Sequence, residues 1–131
     1  MKIYGLGTDI VNIKRIDNSL KKYGLVFKNK IFSKKEISYC EKKKNPSAFY
    51  AKRFAAKEAF SKAIGTGIRK GLSLKDIEIS NNLYGKPTIV LKKNLVKFLK
   101  KRIKSNNYDI HLSLADDKPW AQATVRISYN K

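Results

Sequence analysis

The sequence has little of several residue types on which small functional sites are often built. It holds one cysteine, Cys40, and one histidine, His111, among 131 residues. A single cysteine forms no intramolecular disulfide, and one cysteine with one histidine is too small a ligand set for zinc. No Gly-x-Ser-x-Gly sequence is present, so a serine-hydrolase triad is not supported. The single cysteine gives no sign of an oxidising compartment, so a cytoplasmic setting is the simplest expectation.

Long apolar runs and acidic residues are also scarce. No stretch approaches the roughly 18 apolar residues of a membrane span, and the first residues lack the apolar segment of a signal peptide, so we expect neither. Only 10 acidic residues face 30 basic ones, which gives a formal net charge of +20 at pH 7. This charge favours a polyanionic partner: nucleic acid, an anionic membrane surface, a phosphate-rich cofactor or an acidic protein. A hydrophobic fraction of 42% still predicts a folded chain, most simply as one domain over residues 1–131.

Apolar periodicity predicts an α+β fold, with an antiparallel sheet packed against a long central helix and additional short helices. Residues 3–13 alternate like a strand, and Asp17-Asn18-Ser19 is a good N-cap for a basic first helix. Ser33 and Glu36 fit a capping box that opens a second helix. The other predicted elements are a long helix from Asn45-Pro46 to Gly65, strands at 74–80 and 88–91, a helix around residue 98, and a hairpin of strands at 109–115 and 120–129.

The long helix is apolar on two sides. Phe49 and Phe60 lie on one side, and Ala51 and Ala55 lie on the opposite one. We therefore expect the sheet to cover one side, and a second layer or another subunit to cover the other.

Two carboxylates are unusual in their apolar surroundings. Asp9 interrupts an apolar strand face, and Glu58 lies on an apolar face of the long helix. A buried carboxylate needs a cation, a metal or hydrogen-bond donors. If the two meet, they suit Mg²⁺ with substrate phosphates as its further ligands, and Lys62 is a nearby charge for a phosphate. On spacing alone, an ordinary surface ion pair between Glu58 and Lys62 is the simpler interpretation.

Other candidate residues have equally plain structural interpretations. His111 on a strand is most simply a structural histidine. Arg53 is most simply a solvent-exposed arginine. The glycine-rich pieces Gly5-Leu6-Gly7 and Gly65-Thr66-Gly67 do not match a dinucleotide-binding turn, and no Walker motif is present.

Six motifs nevertheless match one known family in order and spacing. They are Ile3-Tyr4-Gly5-Leu6-Gly7-Thr8-Asp9-Ile10-Val11, Arg15-Ile16, Arg53-Phe54-Ala55-Ala56-Lys57-Glu58-Ala59-Phe60-Ser61-Lys62-Ala63, Gly65-Thr66-Gly67, Gly85-Lys86-Pro87 and His111-Leu112-Ser113. On these residues the chain resembles the holo-[acyl-carrier-protein] synthases, which are single-domain 4′-phosphopantetheinyl transferases. Asn12 departs from the family pattern, in which an acidic residue is common at this position.

The resemblance implies the fold of that family and the transfer of 4′-phosphopantetheine from coenzyme A to a serine of apo acyl carrier protein, which supports fatty acid biosynthesis. It implies Mg²⁺ bound by Asp9 and Glu58, with Glu58 as the base, directly or through a water, and Lys62 as the charge near the phosphate. It also implies a homotrimer with sites between subunits. The coenzyme A residues would be Arg53, Lys62, Gly65, Thr66, Gly67, Lys86, Pro87, His111 and Ser113. The carrier would dock on Lys14, Arg15, Lys21 and Lys22.

Two interpretations from other classes compete with an enzyme. A small nucleic-acid-binding module would explain the charge, but no RRM, KH, zinc-finger or basic-zipper signature is visible. A membrane-surface protein would use the amphipathic helix around Phe98, which more simply packs on the sheet. Neither explains Asp9 in an apolar strand, so nucleic acid is not the expected partner.

Overall fold

The structure, a computed structural model, describes residues 1–65 and 73–131 and has the predicted α+β architecture. The strands are β1 (Lys2–Asn12), β2 (Ile77–Asn81), β3 (Pro87–Leu91), β4 (Asn107–Asp117) and β5 (Trp120–Asn130). The helices are α1 (Ile13–Tyr23), α2 (Leu25–Ile31), α3 (Lys34–Glu41), α4 (Pro46–Ile64) and α5 (Lys93–Ile103), with a 3-10 turn at Leu74–Asp76. Within the described ranges, no helix is both long and apolar enough to cross a bilayer.

The strands form two antiparallel sheets, where the sequence suggested one. The larger sheet has the order β1-β5-β4, and β2 and β3 form a separate hairpin. On β4 the predicted alternation is confirmed, since Leu112 is buried while His111 and Ser113 are exposed. The larger sheet therefore has one face toward the core and one face that no described residue covers.

Helix α4 is the centre of the core, and its ends form as the sequence predicts. Pro46 occupies the first helical turn, and Gly65 closes the helix in a left-handed conformation with φ of 95°. Strands β1 and β5 cover one side, while α1, α3 and β2 pack on the other. The predicted burial on two sides is confirmed, but the second layer comes from the chain itself, so α4 needs no neighbouring subunit.

Strand β1 lies unusually close to α4. A Cβ atom on Gly7 would collide with the carbonyl oxygen of Ala59, and one on Gly5 would collide with that of Ala63. Only glycine permits this approach of two backbones. Because side chains alternate along a strand, Asp9 shares the face of Gly5 and Gly7 and points toward the same helix.

The start of the first helix differs from its prediction. Helix α1 begins four residues before Asp17, and Asn12 is its N-cap, because the Asn12 side chain accepts a hydrogen bond from the Lys14 N–H at 2.9 Å. Asp17 lies inside the helix and pairs with Lys21 at 2.9 Å. Asn and Asp cap equally well, so composition does not choose between them. The capping box of Ser33 and Glu36 is confirmed.

Candidate active site

Strand β1 and helix α4 bring Asp9, Glu58 and Lys62 together. The Lys62 ammonium donates to Asp9 Oδ1 at 3.0 Å and to the Thr8 carbonyl oxygen at 3.1 Å. Asp9 is half-buried, and the Lys62 side chain is largely exposed. Lys62 therefore pairs with Asp9, 53 residues away in the sequence, and not with Glu58 as the spacing suggested.

The second carboxylate, Glu58, lies one helical turn before Lys62 and is also half-buried. Burial raises the pKa of Glu58 above its ordinary value, and the charge of Asp9 raises it further. Lys62 and Arg15 act in the opposite direction. Asp9 thus lies close enough to disfavour the ionisation of Glu58, which is the electrostatic setting that a bound cation relieves.

The donors present fit Mg²⁺. Across residues 1–65 and 73–131, no group of three or more histidine, cysteine, aspartate or glutamate residues is placed to enclose a metal. Two carboxylates alone match an ion that keeps water and takes phosphate oxygens as its other ligands. Asp9 and Glu58 therefore fit Mg²⁺ bound together with a phosphate-containing substrate.

Arg53 is buried, contrary to the simplest expectation of an exposed arginine. It is 3% exposed, and its Nη2 donates to Asn81 Oδ1 at 2.8 Å. Its guanidinium carbon lies 4.1 Å from the centre of the Tyr39 ring. Its Nε is buried and has no hydrogen-bond partner among the described residues. Buried polar groups are usually satisfied, so this donor marks Arg53 as a candidate ligand-binding residue.

Two adjoining cavities open beside Arg53, of about 270 and 200 Å³. They share Tyr39, Arg53 and Asn81. The larger is also lined by Lys35, Glu78, Ile79 and Ser80. The smaller is also lined by Phe49, Lys52, Gly85, Pro87 and Leu114. Arg53 and Pro87, both predicted to bind the cofactor, therefore meet at one cavity, with Lys86 exposed beside it.

The cavities and the carboxylate pair lie on different sides of α4. Arg53 and Glu58 are five residues apart, which is roughly 7–8 Å along a helix and about 140° around it. His111 and Ser113 lie on the exposed face of β4, opposite Arg126 and Thr124 of β5. The predicted cofactor-binding residues thus lie on three separate surfaces of one chain. Gly65 is exposed at the end of α4, and Thr66 and Gly67 lie outside the described residues.

The predicted docking residues lie on one helix, next to the carboxylates. Lys14, Arg15, Lys21 and Lys22 are all exposed on α1. Arg15 is close enough to Glu58 to lower its pKa. One end of the predicted docking surface therefore lies near the carboxylate pair.

Sequence reasoning missed the surroundings of Arg53. Tyr39 and Asn81 were not singled out, and neither was Lys57, which is fully buried in an ion pair with Glu36. One signal was available, because Arg53, Lys57 and Phe60 recur at helical spacing on one stripe. A lysine on an apolar stripe indicates a buried partner for its charge.

Comparison with known proteins identifies the class of enzyme. The model of the 4′-phosphopantetheinyl transferase superfamily matches residues 5–123. The chain is 48% identical over 128 residues to the holo-[acyl-carrier-protein] synthase of Wolbachia pipientis from Culex pipiens, covering 95% of this chain and 97% of that one. It is therefore a phosphopantetheinyl transferase.

Solved structures identify the family of this chain within that class of enzyme. The fold matches holo-[acyl-carrier-protein] synthase from Neisseria meningitidis with a TM-score of 0.87 at 39% identity, over 96% of this chain and 98% of that one. It also matches the Helicobacter pylori enzyme in complex with coenzyme A, with a TM-score of 0.81 at 36% identity, over 94% of this chain and 99% of that one. The chain belongs to the holo-[acyl-carrier-protein] synthase family, whose reaction transfers phosphopantetheine from coenzyme A to acyl carrier protein.

Proposed function

We propose that residues 1–131 form one transferase domain that uses Mg²⁺, bound by Asp9 and Glu58, to move 4′-phosphopantetheine from coenzyme A to a serine of apo acyl carrier protein. The observation that carries the proposal is the meeting of two half-buried carboxylates from β1 and α4, with Lys62 beside them. When bound, Mg²⁺ supplies positive charge against the pyrophosphate of coenzyme A.

Glu58 and Lys62 have separate roles in the phosphoryl transfer. The Glu58 carboxylate accepts the proton of the serine hydroxyl, directly or through a water, as the serine oxygen bonds to the phosphorus that carries the pantetheine. The bond from that phosphorus to the oxygen of adenosine 3′,5′-bisphosphate breaks. Lys62 has a long exposed side chain, so its ammonium can turn from Asp9 to the charge on the phosphate and leaving group.

The complete site lies between subunits of a homotrimer in this proposal. Two observations support it: one chain divides the cofactor residues among three surfaces, and the uncovered face of the larger sheet is partly apolar. Leu6 is 67% exposed and Ile10 is 61% exposed on that face. His111 lies on the same face, in the row of Leu6 and Arg126. Such a patch is typical of an interface between chains.

Acyl carrier protein docks on α1 in this proposal. The helix presents Lys14, Arg15, Lys21 and Lys22, and exposed Leu25 and Val26 follow at the start of α2. A basic surface with an apolar margin suits an acidic partner. We further propose that the enzyme works in the cytoplasm and supports fatty acid biosynthesis.

The test is to incubate the purified chain with coenzyme A, Mg²⁺ and apo acyl carrier protein and to measure the carrier's mass. We expect the carrier to gain one phosphopantetheine group, and a chelator to prevent the gain. An unmodified carrier, together with tight binding of the chain to random RNA, would instead support a nucleic-acid-binding module.

A further inference from the structure

A buried ion pair lies next to the proposed metal residue and has no part in the reaction described above. The Lys57 ammonium is 2.8 Å from Glu36 Oε1, and both side chains are 0% exposed. Lys57 directly precedes Glu58 on α4, while Glu36 lies on α3. Exchanging such a pair for apolar residues is often neutral or stabilising, so stability alone gives little reason for it.

The hydrogen bonds of this pair reach a third element. Besides Glu36, the Lys57 ammonium donates to the carbonyl oxygens of Leu74, at 3.0 Å, and Ile77. Glu36 accepts a bond from the Ile79 N–H at 3.1 Å. The pair therefore bonds the 3-10 turn and the first half of β2 to α3 and α4.

These three elements are the walls of the larger cavity beside Arg53. Helix α3 contributes Lys35 and Tyr39 on either side of Glu36, and α4 contributes Arg53 one turn before Lys57. Strand β2 contributes the segment that ends at Asn81, whose side chain accepts the bond from Arg53. The ion pair is thus the point at which all three walls are bonded together.

We propose that Lys57 is a positioning residue for coenzyme A: with Glu36 it holds β2 against α3 and α4, so that Arg53 and Asn81 keep the geometry that binds the nucleotide. The inference rests on the proposed function, which assigns the Arg53 cavities to coenzyme A. Lys57 touches no substrate in this account. Its removal should weaken coenzyme A binding while the carboxylate pair still supports turnover.

The test measures the dissociation constant for coenzyme A by calorimetry, the steady-state constants and the melting temperature. Lys57→Met should weaken coenzyme A binding roughly tenfold, with a matching rise in its KM. We expect kcat and the KM for carrier to change by less than about twofold. The melting temperature should fall, because Glu36 is left buried and unpaired.

A double variant separates positioning from stability. Lys57→Met with Glu36→Leu removes both charges, so its melting temperature should return toward the wild-type value. Coenzyme A binding should stay weak, because Leu74, Ile77 and Ile79 still lack their partners. Lys28→Met is the matched control, because Lys28 pairs with Glu41 at 2.8 Å but bonds to no part of β2. The Lys28→Met variant should bind coenzyme A as tightly as the wild type.

Two results would overturn the inference: wild-type coenzyme A affinity in Lys57→Met, or recovery of affinity together with melting temperature in the double variant. Because binding is measured without carrier, a failure of the proposed function is distinguishable. A wild-type chain that binds coenzyme A but modifies no carrier contradicts the transfer and leaves the effect of Lys57 measurable. A wild-type chain that does not bind coenzyme A contradicts both.

Discussion

At the scale of single residues, charge in half-buried surroundings dominates the candidate site. Asp9 forms an ion pair with Lys62, and Glu58 has a raised pKa because it is partly buried and lies near Asp9. The surplus of cations over the whole chain explains little of this. Lys62 and Arg15 are the cations whose charges lower the pKa of Glu58.

Cys40 gives a prediction at the same scale. It is fully buried, and burial raises the pKa of its thiol from 9.0 to about 12. Since the native state favours the protonated thiol, the contribution of Cys40 to the free energy of unfolding is fully present below pH 9 and is lost as the pH rises toward 12. At pH 9, iodoacetamide should therefore label the native chain at least about 100-fold more slowly than the urea-unfolded chain.

The control for this labelling is an exposed thiol. Ser38 is exposed on the same helix, α3, so Ser38→Cys in a Cys40→Ala background should react at similar rates before and after unfolding. Equal rates for native and unfolded wild-type protein would show that Cys40 is not held in the core.

At the scale of elements, the contact of β1 with α4 decides where Asp9 lies. Gly7→Ala should destabilise the protein by about 2–4 kcal/mol, because the added methyl group meets the backbone of Ala59. Adding Ala59→Gly should give no rescue, since the collision is with a carbonyl oxygen. Thr8→Ala on the exposed side of β1 should cost about 1 kcal/mol or less. Urea unfolding measures all three, and a stable Gly7→Ala variant would refute the close approach.

Elements with local signals were predictable from sequence, and those set by distant contacts were not. Ser33 with Glu36, and Pro46 with Gly65, define their helix ends within a few residues. The pairing of β2 with β3 apart from the larger sheet has no local signal, because tertiary contacts override strand preference. The same holds for the start of α1, where Asn12 is the cap in place of Asp17.

The residues of the candidate site also differ in whether the sequence predicts them. Asp9 and Glu58 were identifiable because each is a charge on an apolar face. The burial of Arg53 depends on Asn81, 28 residues away, and that of Lys57 on Glu36, 21 residues away. Neither partner follows from spacing, so the sequence predicts an exposed Arg53 and does not identify Glu36 as the partner of Lys57.

At the scale of the whole molecule, the uncovered face of the larger sheet is the feature that one chain leaves unexplained. If three chains meet there, light scattering should give three times the 15.0 kDa of a single chain. Leu6→Asp should dissociate the assembly and remove most transferase activity, because a charge is then buried at the interface. Val26→Asp, on an exposed position of α2, should leave the assembly intact. A fully active monomer would contradict sites between subunits.

The central claim is that Asp9 and Glu58 together hold the Mg²⁺ that the transfer needs. The most direct measurement is the Mg²⁺ dependence of carrier modification in the wild type, Asp9→Asn and Glu58→Gln, with folding checked by circular dichroism. These changes keep the size of each side chain and remove its charge. We predict a folded protein whose turnover at saturating coenzyme A falls at least about 100-fold in either variant. Wild-type turnover at the same Mg²⁺ concentration in both variants would contradict the claim.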